Sequence, residues 1–175
     1  MRKIKLVIGA IVSVIIIAAI AVNFLPSDKV KNYTLSSYCS DITKNLMKSP
    51  SSYKLIGHST DWTVPTRDEV DATLSVYKHL KDKKDLQWSK VYSENRFVAS
   101  NSFGVELSGF AKCDFMRIYF GADSYYYTLI NVNVDGKKID GFSLASAEIS
   151  AKASVGDIST EVTYMQKIKY LLSKV

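Results

Sequence analysis

From Leu6 to Leu25 no residue carries a charge, and only Ser13 and Asn23 are strongly polar. A helix of that length spans about 30 Å, the hydrocarbon thickness of a bilayer. It also satisfies its own backbone hydrogen bonds in lipid. The pattern therefore predicts a transmembrane anchor over residues 1–25. Arg2, Lys3 and Lys5 precede the run and favour a cytoplasmic amino terminus, with the rest of the chain outside. The competing reading is a signal peptide cleaved near Ala21, because Ala19-Ile20-Ala21 has the small-x-small form of a cleavage site. The apolar run continues through Val22, Phe24 and Leu25, which favours the uncleaved anchor.

Beyond a polar stem at residues 26–31, the periodicity becomes helical. Leu35, Tyr38, Cys39, Ile42 and Leu46 share one face, and Ser49-Pro50 ends the helix. Tyr53 to His58 reads as a short strand and Thr60 to Pro65 as a loop. Thr66-Arg67-Asp68-Glu69 has capping-box form ahead of Val70, Leu74 and Tyr77. Strict alternation of Val70, Ala72, Leu74 and Val76 also fits a strand, so residues 66–80 stay open between the two, with helix favoured. Lys81 to Asp85 is a solvated charge run. Trp88 to Asn101 is strand-forming. Asn101 to Gly104 is a turn, and Val105, Leu107, Gly109, Ala111, Cys113 and Phe115 then alternate with polar residues as the inner face of a further strand. Tyr125 to Val134 is the next strand, Asp135-Gly136 a hairpin turn, and Ile139 to Leu144 the return strand. Ser150 to Asp157 reads as a loop. Ser159 is placed to cap a last helix whose apolar stripe is Val162, Met165, Ile168, Leu172 and Val175. The expected fold is α+β: after the anchor, one extracytoplasmic domain over residues 32–175, with helices packed on an antiparallel sheet of four or five strands.

Length and charge alter this picture little. Of 175 residues, those after the anchor suffice for one compact domain. The net charge of +6 is divided between the membrane flank and the remainder, which holds 20 basic and 17 acidic residues. That balance suits an ordinary soluble surface. With no basic stripe or RNA-binding motif, nucleic acid is not an expected partner.

Cys39 lies on the apolar face of the first soluble helix and Cys113 on the inner face of a strand. If the helix crosses that sheet the two meet, and outside the cytoplasm an even pair oxidises. The alternative is a pair of buried free thiols. Neither His58 nor His79 has partners at ligand spacing, so no metal or cofactor is expected.

Lys48-Ser49-Pro50-Ser51-Ser52-Tyr53, then Asn101-Ser102-Phe103-Gly104, then Cys113 together resemble a pattern in small bacterial exported or membrane-anchored domains of poorly defined function. The resemblance covers residues 35–115. It implies a compact α+β domain outside the cytoplasm and carries over no catalytic residues.

No nucleophile–base pair or phosphate-cradling loop marks an active site. The aromatic content is more informative. Of 11 tyrosines, Tyr125, Tyr126 and Tyr127 are consecutive in a strand, while Tyr164 and Tyr170 lie on the last helix. These five form the candidate binding surface, although tyrosine also suits half-buried strands for purely structural reasons. The leading expectation is a single-pass membrane protein, held through residues 6–25, whose outer domain binds another envelope protein as scaffold, accessory or protective factor. The alternatives are a module binding a small ligand or cell-wall glycan, and an envelope hydrolase with an unrecognised site.

Overall fold

The computed structural model describes residues 22–83, 85–121 and 125–174. Among these no helix is long and apolar enough to cross a membrane. The expected anchor falls on residues 1–25, of which only the last four are described. The chain divides into two compact units, one of residues 32–161 and a smaller one containing its two ends.

The larger unit is built on a five-stranded antiparallel meander in the order β1-β2-β3-β4-β5. The strands are β1 (Lys54–Thr63), β2 (Gln87–Ser100), β3 (Glu106–Tyr119), β4 (Tyr125–Val134) and β5 (Lys137–Ile139). Helix α1 (Ser27–Leu46) lays its predicted stripe on one face. Leu35, Tyr38, Cys39 and Ile42 are buried there against Val91, Cys113, Phe115, Tyr127 and Val132. Cys39 and Cys113 are joined in a disulfide, with Cα atoms 5.8 Å apart. Among the polar residues buried in this layer, Ser36 and Asn95 bond each other. Asn95 Oδ1 accepts from Ser36 Oγ at 3.1 Å, and Asn95 Nδ2 donates to the Ser36 carbonyl at 3.0 Å. Burying an amide is tolerable on those terms.

The opposite face is also covered. Helix α2 (Arg67–Val76) begins with the expected capping box. The Glu69 amide donates to Thr66 Oγ1 at 3.3 Å, and the Thr66 amide donates to Glu69 Oε2 at 2.8 Å. This helix and Leu80 pack Val70, Leu74 and Tyr77 over Met116 and Ile118. β3 is therefore the middle layer of three, and Asp114, Phe115 and Met116 are buried in succession. Alternation alone assigned an inner face running from Val105 to Phe115. In fact Val105 and Leu107 are exposed, because that end of the strand extends past the covering helices.

Several boundaries differ from expectation. α1 starts at Ser27, so the polar stem is helical: the Val30 amide donates to the Pro26 carbonyl. β1 runs to Thr63, because pairing with Tyr92, Val91 and Lys90 extends it through the expected loop. The Asp135-Gly136 turn is present, with φ of 50° and 79°, but the return strand is only Lys137–Ile139. Residues expected as strand and loop form helix α3 (Gly141–Val155) instead. Its buried residues are Ala147 and Ala151, small enough to bring the helix close to the core and too small to leave an apolar stripe in the sequence. Ser154 Oγ ties it to α1 through Asp41 Oδ2 at 2.7 Å.

In the smaller unit, α4 (Tyr164–Leu172) is capped by Thr163, not Ser159. The Thr163 amide donates to Gln166 Oε1 at 2.9 Å. Gln166 is buried while Met165 and Leu172 of the expected stripe are exposed; Val175 lies outside the described residues.

Two outcomes test this packing. A methyl at Gly109 would overlap the Phe97 ring, which stacks on Tyr53 at 5.1 Å between centroids. Gly109→Ala should lose about 1–3 kcal/mol in urea denaturation, the usual range for overpacking. The disulfide closes a separation of 74 residues. In the chain-entropy model its reduction should lower stability by about 4 kcal/mol, read as a drop in the thermal midpoint with reductant.

Candidate functional site

A concavity lies between α2 and the β3–β4 half of the sheet. Its cavity is about 550 Å³, within the range of small-molecule sites. The capping box fixes where α2 begins, and Lys90 Nζ anchors that end to the sheet through Glu69 Oε1 at 2.7 Å. Burial pushes the Glu69 carboxyl up, but the Lys90 and Thr66 hydrogen bonds outweigh it and hold the group below its ordinary range. Tyr77, just past the helix, is fixed by a 2.9 Å hydrogen bond between its hydroxyl and Thr128 Oγ1.

Asp114 forms part of the cavity wall and is only 8 % exposed. Asn131 Nδ2 donates to its Oδ2 at 3.1 Å. Its Oδ1 is buried with no hydrogen-bond partner. Next to it the β3–β4 register shifts. Asp114 pairs with Asn131 and Phe115 with Leu129, so Ile130 is the extra residue of a bulge. Bulges bend a strand and re-aim its side chains, and this one lies on the cavity wall.

A second cavity, of about 370 Å³, is bordered by Tyr38, Tyr126, Tyr127, Glu148, Lys152 and Asp157. Burial raises the Tyr38 hydroxyl and the Glu148 carboxyl above their ordinary ranges, with Glu148 and Asp157 adding to the effect on Tyr38. Burial alone would also raise Asp157, but Lys152 Nζ at 2.8 Å and the bonds from Ser159 take it down to about 2. Asp157 is thus committed to an ion pair and a turn, not presented as a free base.

The predicted tyrosines separate. Tyr127 is buried in the α1 core, and Tyr125 meets it edge-on at 5.6 Å. Tyr126 points to the other face, 5.7 Å from the Tyr77 ring, and its hydroxyl is pushed up to about 12 by burial and by Tyr77. Tyr164 is exposed and Tyr170 half-buried in the smaller unit, where Lys174 Nζ sits 5.4 Å from the Tyr170 ring centre. Cys39 and Cys113 form the expected disulfide.

Three features were missed by sequence reasoning. Arg117 lies over both the Trp62 and Tyr125 rings, at 5.3 and 4.9 Å. Asp114 was one carboxylate among many scattered along the chain. The edge strand β1 carries exposed Leu55 and Ile56, close to exposed Leu107 and Phe110 at the same end of the sheet. Among the described residues no cluster of His, Cys, Asp and Glu could hold a metal ion.

The class defined by these observations is a disulfide-linked α+β domain with helices on both faces of a meander sheet. Comparison with protein-family models, curated proteins and solved structures finds no match to this chain. Function therefore has to be argued from the geometry.

The Lys152–Asp157 pair generates a pH prediction. The folded carboxyl titrates at about 2, below its ordinary 3.8. Its contribution to stability is present above pH 4 and is lost as pH falls toward 2. Because the pair is largely exposed, the effect should stay under about 1 kcal/mol. Denaturation at pH 6 and pH 2.5 should show a smaller acid loss in Asp157→Asn than in the unsubstituted protein.

Proposed function

We propose that this protein is a binding domain held outside the cytoplasm by its amino-terminal apolar segment, and that it engages another envelope protein along the free edge of β1. The observation that carries the reading is the state of that edge. Among the described residues β1 is a ten-residue strand paired on one side only, by β2, and exposed over most of its length. An open edge presents unpaired backbone N–H and C=O groups, the template used in recognition by strand addition. A bulge at Ile56 interrupts the edge, but His58 to Thr63 pair in unbroken register with β2. Six residues are enough to seat one extended segment. Exposed Leu55, Ile56 and Val64 flank that stretch and offer apolar contact at both ends.

The closed disulfide supports an oxidising compartment, since paired cysteines persist there and are kept reduced in the cytoplasm. The basic flank ahead of the apolar run supports the same topology. The tyrosine platform of a glycan-binding module has less support, because Tyr125 to Tyr127 are divided between two faces and partly buried.

Site-specific photocrosslinking in intact membranes tests the reading. A photoreactive residue at Ser59, on the free edge, should give one reproducible adduct. The same residue at Ser143, exposed on α3, should give none, and Ile56→Lys should remove the Ser59 adduct while the disulfide still forms. Equal adducts from both positions, or none from Ser59, would refute the β1 reading. An adduct of twice the chain's mass would replace the envelope protein with a second copy.

A further inference from the structure

We infer that the cavity between α2 and the β3–β4 strands is a binding site for a small organic cation, a protonated amine carried on an apolar body. The site is separate from the β1 edge, which lies at the other side of the sheet. The Asp114 carboxylate forms part of its wall. At 8 % exposure the group is largely withdrawn from water, a costly placement for a charge without partners. The neutral Asn131 amide serves one oxygen, and the other has no partner. A buried acceptor left open in this way calls for a donor, and a charged N–H donor bonds a carboxylate oxygen more strongly than a neutral one.

The surrounding charges leave that role unfilled. Lys90 is held by Glu69 at 2.7 Å, and Lys112 is held by Glu94 at 3.6 Å and lies over the Tyr92 ring at 4.2 Å. Lys138 borders the cavity but is exposed, and it forms no ion pair with Asp114. Glu69 is neutralised by Lys90, so Asp114 is the carboxylate of the cleft wall that has no ion-pair partner.

The remaining wall specifies the body of the ligand. Ala72, Val76 and Ile130 supply aliphatic surface beside the Tyr77 ring. That ring is fixed by its bond to Thr128 and offers a π face to a nearby cation. The Ile130 bulge places an extra residue of β4 beside Asp114. An open carboxylate acceptor and an aromatic–aliphatic wall thus meet in one cavity of about 550 Å³.

The test is calorimetric titration of the full chain in detergent with phenethylamine. Phenylpropionate serves as the anionic match and phenethyl alcohol as the neutral one. Phenethylamine should bind with one-to-one stoichiometry and raise the melting temperature, and both controls should bind at least tenfold more weakly. Asp114→Asn should weaken amine binding at least tenfold and abolish the thermal shift. The variant itself should melt no lower than the unsubstituted protein, because the open oxygen gives up no hydrogen bond. Lys138→Ala should leave amine binding unchanged or tighter. The inference fails if phenethylamine shows no binding at 10 mM, if the anion binds as well as the amine, or if Asp114→Asn binds undiminished. A large loss of stability in Asp114→Asn would also overturn it, by giving the carboxylate a structural role. A failure of crosslinking at β1 would leave this result untouched, so the two readings stand or fall separately.

Discussion

The covalent link between Cys39 and Cys113 holds a helix to the middle strand of a five-stranded sheet, and the rest of the larger unit is arranged about that link. Between the two cysteines in sequence lie β1, α2, β2 and the start of β3. Tying those ends together removes much of the freedom of the unfolded chain. It also settles which face of the sheet α1 occupies, since Cys113 shares that face with Phe115 and Val91. α3 then packs beside α1 through alanines, and α2 is left to cover Met116 and Ile118 on the far side.

A sheet covered on both sides makes every polar side chain on its central strands an issue of satisfaction. Asn95 and Asp114 are an informative pair. Both are buried on neighbouring strands, on opposite faces. Asn95 faces α1, where the Ser36 side chain and carbonyl meet its amide with the correct polarity. Asp114 faces the gap beside α2, where only one of its oxygens is met. The first arrangement locks helix to sheet. The second keeps an unfilled acceptor beside a cavity, and natural folds seldom retain that cost without use.

The two surfaces with binding character fall on different edges of the sheet. β1 offers backbone and exposed aliphatic side chains, suited to an extended protein segment. The β4 side offers a cavity with a carboxylate, suited to a small cation. β4 is partly sealed by β5 and by the Tyr127 amide, which donates to the Ser159 carbonyl. β1 has no such cover among the described residues, which is why the protein-binding reading rests there.

Local chemistry made much of the fold legible. The stripe from Leu35 to Leu46, the Thr66–Glu69 capping box, the Asp135-Gly136 turn and the bounds of β4 each depend on residues close in sequence, so spacing alone reveals them. α3 was not legible, because its packing uses Ala147 and Ala151 and leaves no large apolar stripe. The length of β1 was not legible either, because its last four residues are held by pairing with β2 and not by their own propensity. The sequence by itself determined the α+β class, the buried face of α1, the start of α2 and the meeting of Cys39 with Cys113. Only the tertiary structure decided that β3 is covered on both sides, that β1 is left open, and that Asp114 alone of the scattered carboxylates is buried beside a cavity. Those are outcomes of long-range packing: burial and the lack of a partner belong to the space around a side chain, and no local pattern encodes that space.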